Sequence, residues 1–236
     1  AQHAPCWAFA MPPLPDITWS PLRDGTCRVR SPWWELLWHP VRGLTRVRFG
    51  PATWQVPALL GLRRIRTRQQ AWSLDVDAPS DTVIQENRIT ASWYATPHRP
   101  VEVHARWTLE GCRFWLEISL LTPSRLEALA LETQSQLGPC SACTSPTLHP
   151  DVLAALLHPQ ALSDWSYLEM VPRREAVHAE VSPLGLVSFL LFRETLEKGV
   201  VLRGRLLATF LRRENESTLA PQIAEEFASS PPNLAR

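Results

Sequence analysis

Along most of this chain, apolar residues return at every second position, the spacing of a strand with one face in a core and the other in water. Strands are expected at 28–30, 33–38, 44–49, 72–77, 82–85, 88–95, 101–109, 113–121, 126–135, 176–181, 186–193 and 200–211. Turn-forming stretches separate them, among them Arg23-Asp24-Gly25, Glu110-Gly111, Thr122-Pro123-Ser124 and Glu197-Lys198-Gly199. Helical spacing is confined to 150–157 and 219–228. So many strands with so few helices predict an all-β, antiparallel β-sandwich with a short C-terminal helix. The polar, proline-rich stretch 137–163 reads as a long functional loop or as a seam between two strand groups.

One hairpin can be set in register. With Glu110-Gly111 as a two-residue loop, Val101 faces Leu120, Val103 faces Ile118, Ala105 faces Leu116 and Trp107 faces Phe114. The other face then holds Glu102 with Ser119, His104 with Glu117, Arg106 with Trp115 and Thr108 with Arg113. A slip of one residue would scramble this separation, so the two faces are well specified. Val187-Ser188-Phe189-Leu190-Leu191-Phe192 is apolar on both faces and predicts a covered, central strand. On the following strand Arg203, Arg205, Leu207 and Thr209 share one face.

Composition limits the function classes. The 236 residues carry 24 Lys+Arg against 23 Asp+Glu, too even a balance for a polybasic nucleic-acid binder or an acidic tail. With 45% hydrophobic residues the chain is not disordered, and no apolar run reaches the ~20 residues of a membrane span. A single domain is expected over 16–236 after a disordered extension at 1–15. The five cysteines, an odd number, suit a reducing compartment, so a cytoplasmic location is expected. Cys140-Ser-Ala-Cys143 has CxxC spacing but no second pair to complete a metal site, and it is expected in a loop. Neither a metal nor a cofactor is expected. The basic run 62–68 reads as a solvated loop or edge.

Two constellations could carry chemistry. The first is the polar hairpin face, where Glu102, His104, Arg106, Trp115 and Glu117 set a ring among hydrogen-bonding groups, an arrangement suited to a sugar. Its alternative is a solvated face with Arg106 stacked on Trp115 and His104 paired with Glu117. The second lies in the C-terminal half: Asp164, Trp165, Tyr167, Glu169, His178, Glu180, Glu194, Glu197, Arg203 and Arg205. Here Glu169, Glu180 or Glu197 with His178 could serve as an acid–base pair, while Arg203 and Arg205 could hold an anionic group. The alternative is salt bridging of both arginines to Glu194, Glu197 or Glu180.

The segments ENRITASWYAT, VEVHARWTLEGCRFWLEISLLTPSRLEALALETQSQL and GLVSFLLFRETLEKGVVLRGRLLATFL resemble the long antiparallel strands of the galactose-mutarotase-like supersandwich. The likeness spans roughly residues 28–211. It implies the fold shared by aldose epimerases and by accessory domains of carbohydrate-active enzymes. Those epimerases use a histidine followed by an aromatic–Asn turn, which this sequence lacks, so no catalytic residue carries over. The function implied is carbohydrate recognition without catalysis, with a carbohydrate as the partner and neither nucleic acid nor membrane. Two alternatives stand beside it: a sugar epimerase or other carbohydrate-active enzyme, and a structural or protein-interaction module.

Overall fold

The computed structural model describes residues 18–22, 26–30, 34–49, 52–53, 56–74 and 78–230. The expected extension at 1–15, the Arg23-Asp24-Gly25 turn and the end of the expected strand at 72–77 lie outside the described residues.

In chain order the strands are Thr18–Pro21 (β1), Cys27–Arg30 (β2), Trp34–His39 (β3), Gly43–Phe49 (β4), Ala52–Thr53 (β5), Ala58–Arg66 (β6) and Ala71–Ser73 (β7). Next come Asp81–Gln85 (β8), Arg88–Trp93 (β9), Glu102–Glu110 (β10), Arg113–Leu121 (β11), Leu126–Gln136 (β12) and Cys140–Thr144 (β13). The last are Val152–Pro159 (β14), Trp165–Pro172 (β15), Ala176–Val181 (β16), Leu186–Leu196 (β17) and Leu202–Arg212 (β18), before helix α1, Glu216–Ser229. A ten-stranded sheet runs β1-β2-β3-β4-β6-β12-β17-β16, with β5 beside β4 and β7 beside β6. An eight-stranded sheet runs β13-β14-β15-β18-β11-β10-β9-β8.

The alternating strands put their apolar faces between the sheets. Trp38, Trp93, Trp107, Phe114, Phe189 and Phe210 are all fully enclosed, and the Trp38 and Trp107 rings meet edge-on at 5.3 Å. A second, smaller core lies on the outer side of the eight-stranded sheet. There Leu219, Ile223, Ala224 and Phe227 of α1 cover Leu168, Met170, Leu207 and Leu211.

A chain of hydrogen bonds crosses the main core. Trp107 Nε1 donates to the Leu60 carbonyl at 2.9 Å, and the Leu60 amide donates to Ser135 Oγ at 2.8 Å. Ser135 Oγ meets the Tyr167 hydroxyl at 3.3 Å, which donates to Glu169 Oε2 at 2.6 Å. The route starts on β10, crosses to β6 and β12, and returns to β15, so it ties the two sheets together twice.

The all-β sandwich and the C-terminal helix agree with the sequence, and several details differ. The β10–β11 loop is Gly111-Cys112 rather than Glu110-Gly111, so Val103 pairs with Leu120 and Trp107 with Leu116. The shift is two residues, which preserves both faces. Gly111, at φ 62°, supplies the left-handed turn conformation. Residues 150–157, expected to be helical, contribute to β14. Ala155 and Leu157 face the main core while Val152 and Ala154 lie under α1, so burial on both faces erases the period that marks a strand. The expected seam at 137–163 therefore holds β13 and β14.

Cys140 and Cys143 sit on β13, not in a loop, with Ser141 as an extra, unpaired residue between them. The basic run 62–68 is largely β6: Arg63, Arg64 and Arg66 all bond the Glu132 carboxylate. β17 is a covered strand, but it lies one place from the sheet's edge rather than at its centre. It also belongs to a different sheet from β18, so the chain crosses the sandwich between them.

Candidate functional site

Strands β9, β10, β11 and β18 lie side by side, so their outward residues line up in rungs across the sheet. One rung is Thr90, Arg106, Glu117 and Arg205, and the next is Ser92, His104, Ser119 and Arg203. His104, Arg106 and Glu117 of one constellation and Arg203 and Arg205 of the other thus share one surface. It floors a cleft of about 510 Å³. That volume falls in the roughly 300–1,000 Å³ range of ligand pockets.

One flank of the cleft exists because β15 leaves the sheet early. β15 pairs with β18 only from Trp165 opposite Arg212 to Met170 opposite Leu207. The chain then turns at 173–175, and Glu175 Oε2 accepts the Arg205 backbone N–H at 2.9 Å, standing in for the departed strand. Arg174 Nε lies 3.7 Å from Glu175 Oε1.

β17 of the other sheet supplies Phe192 and Glu194 to the lining. Phe192 and Arg193 adopt φ values of 73° and 94°, in the left-handed region that bulky residues avoid. Phe192 packs against Gly204: a Cβ placed there would lie 2.7 Å from Phe192 Cζ.

Several floor groups are already engaged. Arg106 grips Glu117 through Nε, at 2.7 Å, and through its terminal nitrogen. His104 Nδ1 meets Ser92 Oγ at 2.8 Å and Nε2 meets Glu102 Oε1 at 2.6 Å, so both ring nitrogens are occupied. The Arg205 guanidinium lies 4.8 Å over the Phe227 ring and donates to the Phe227 carbonyl at 3.1 Å. Burial lowers the Arg205 pKa, opposed by the Glu175 charge, yet an arginine keeps its proton in water. Burial raises the Glu175 pKa, against the Arg205 amide and the charges of Arg205 and Arg174. A carboxyl with a raised pKa inside a cleft marks a functional-site candidate.

The remaining expected residues lie elsewhere. Trp115 is half-buried beneath α1, 5.8 Å from the Phe227 ring, with Nε1 donating to Glu110. The Trp165 ring is covered by the Arg212 guanidinium at 4.3 Å. Glu169 is fully buried on the inner face of β15, and burial pushes its pKa up to about 7. His178 and Glu180 are exposed on β16, at the edge of the ten-stranded sheet, and Glu197 pairs with Arg125 at 3.2 Å in the turn after β17. The four candidate acid–base residues therefore sit on separate elements, apart from the neighbouring His178 and Glu180.

The expected alternatives also changed partners, since Arg106 bonds Glu117 instead of stacking on Trp115, and His104 takes Glu102. The sequence reading missed Glu175 and Arg174, which sit in a turn outside any alternation. It also passed over Ser119, a small hydroxyl on a face chosen for its larger groups. Among the described residues, no group of three or more His, Cys, Asp or Glu side chains is arranged to hold a metal ion.

No family model matches the chain, and no curated protein sequence matches it. Solved structures do. A protein from Klebsiella pneumoniae provisionally described as an aldose 1-epimerase superposes with a TM-score of 0.55 at 11% identity, over 93% of this chain and 91% of that one. The Slr1438 protein from Synechocystis gives 0.53 at 11% identity, over 84% and 99%. A human-microbiome protein provisionally described as a kojibiose phosphorylase gives 0.55 at 9% identity, where 86% of this chain covers 28% of the larger chain. The fold is that of the galactose-mutarotase-like supersandwich.

Proposed function

We propose that this chain is a carbohydrate-recognising protein whose binding surface is the cleft on β10, β11 and β18, and that it binds without turning its ligand over. The observation that carries this reading is the rung pattern: three neighbouring strands bring His104, Arg106, Glu117, Ser119, Arg203 and Arg205 to one cleft of ligand size. The neighbours of this fold that carry names of carbohydrate-active enzymes add weight to a sugar as the ligand. The lack of catalysis rests on His104, whose two ring nitrogens are both committed, to Ser92 and to Glu102.

The test is a glycan and monosaccharide binding screen on the full chain, with Arg106→Ala beside the wild type and polarimetric mutarotation run on every binder. Binding that weakens about tenfold or more in the folded variant, with anomers interconverting at the buffer rate, supports the proposal. An accelerated rate replaces it with an epimerase. No binding to any carbohydrate leaves a structural or protein-interaction module.

A further inference from the structure

Resting on that reading, we infer that the ligand is an acidic saccharide, whose anionic group is held by Arg203 and Arg174 with the Ser119 hydroxyl beside them. The argument is an accounting of polar groups. Arg106 and Glu117 satisfy each other, His104 is bonded at both nitrogens, and Arg205 is engaged by Phe227. What remains on the floor is the second rung, where Ser119 and Arg203 are direct neighbours across β11 and β18. Neither side chain has a hydrogen-bond or ion-pair partner among the described residues. Arg174, across the gap left by β15, is exposed, and its one ion pair among the described residues is with Glu175, at 3.7 Å.

Arg174, Arg203 and Ser119 line one cleft and together present several donors, with the Glu175 carboxylate 3.7 Å from Arg174. The planar guanidinium forks match a carboxylate, sulfate or phosphate oxygen pair. A neutral sugar offers hydroxyls, which gain less from a charged donor. Glu194 on β17 is an exposed carboxylate in the same lining, so an anionic group is favoured beside the arginines and away from Glu194.

Calorimetric titration of the full chain distinguishes the outcomes, using galacturonate, glucose 6-phosphate, the neutral parents galactose and glucose, and inorganic phosphate. The inference expects one acidic sugar to bind at least tenfold tighter than its neutral parent. It also expects that preference to fall roughly 10- to 100-fold in Arg203→Ala, with partial rescue by Arg203→Lys and weakening as salt rises. Galacturonate binding identifies a carboxylate as the recognised group, and glucose 6-phosphate a phosphate. Equal binding of neutral parents, unchanged in Arg203→Ala, overturns this inference and leaves carbohydrate recognition standing. Inorganic phosphate binding as tightly as the sugar phosphate overturns it in favour of a simple anion site. No binding by any sugar removes both readings.

Discussion

Glu169 occupies a position that a carboxylate rarely tolerates, with no solvent exposure and the Tyr167 hydroxyl as its bonded neighbour. Burial raises its pKa from 4.5 to about 7, so the folded protein holds a proton there that the unfolded chain has released. Stability from this group is full below about pH 4.5 and is lost as pH rises through about 7, a total on the order of 3 kcal/mol. Urea midpoints measured from pH 4.5 to 8 should therefore fall for the wild type relative to Glu169→Gln, which has no proton to lose. Parallel profiles for the two proteins would rule out this burial effect. Single residues are where the sequence was least informative. Glu169 and Glu117 are both carboxylates on strands of the eight-stranded sheet, and only the face each strand turns to the other sheet decides which lies in the core and which in the cleft. Tryptophan misled in the same way: the Trp115 ring suggested a sugar platform, yet it lies against Phe227 of α1, and Trp38, Trp93 and Trp107 serve as core.

Elements read more clearly, because a repeated pattern averages over such accidents. The β10–β11 faces survive a two-residue change of register because parity alone assigns them. β14 was lost because it is apolar on both sides, and its second cover, α1, lies far along the chain. That helix is fastened at several points. Glu216 receives the Ser166 hydroxyl and lies 2.9 Å from His158 Nε2, His149 approaches Glu225 at 3.2 Å, and Arg113 holds Glu226. Glu216→Ala leaves the buried Ser166 hydroxyl without its acceptor, so a loss of roughly 1–3 kcal/mol is expected, with faster amide exchange across 216–229 than in the main core. Exchange that quickens uniformly would mean that α1 does not open separately. Gly204 makes a second element-scale prediction. Gly204→Ala forces its Cβ against the Phe192 ring, so about 1–3 kcal/mol of stability should be lost, and ligand affinity should change because Phe192 also lines the cleft. An unchanged melting temperature would show that the ring moves freely.

For the whole molecule, the supersandwich was legible from strand count and spacing, whereas the cleft was not. The cleft depends on β18 pairing with β11 rather than with β17, a choice that alternation does not encode. The hydrogen-bonded thread from Trp107 to Glu169 fixes how the two sheets sit on each other. Ser135→Ala removes its midpoint and strands the Leu60 amide, so roughly 1–3 kcal/mol should be lost with no change in the steepness of the urea transition. A shallower transition would instead mean that the sheets come apart in stages. The bulge at Ser141 has its own consequence at this scale. β13 is the outer strand of the eight-stranded sheet, and its unpaired residue breaks the even spacing of its amides and carbonyls. A foreign extended segment laid against that border falls out of step after a few residues, so crowded copies of this protein meet there as blunt walls rather than as templates for a growing fibre.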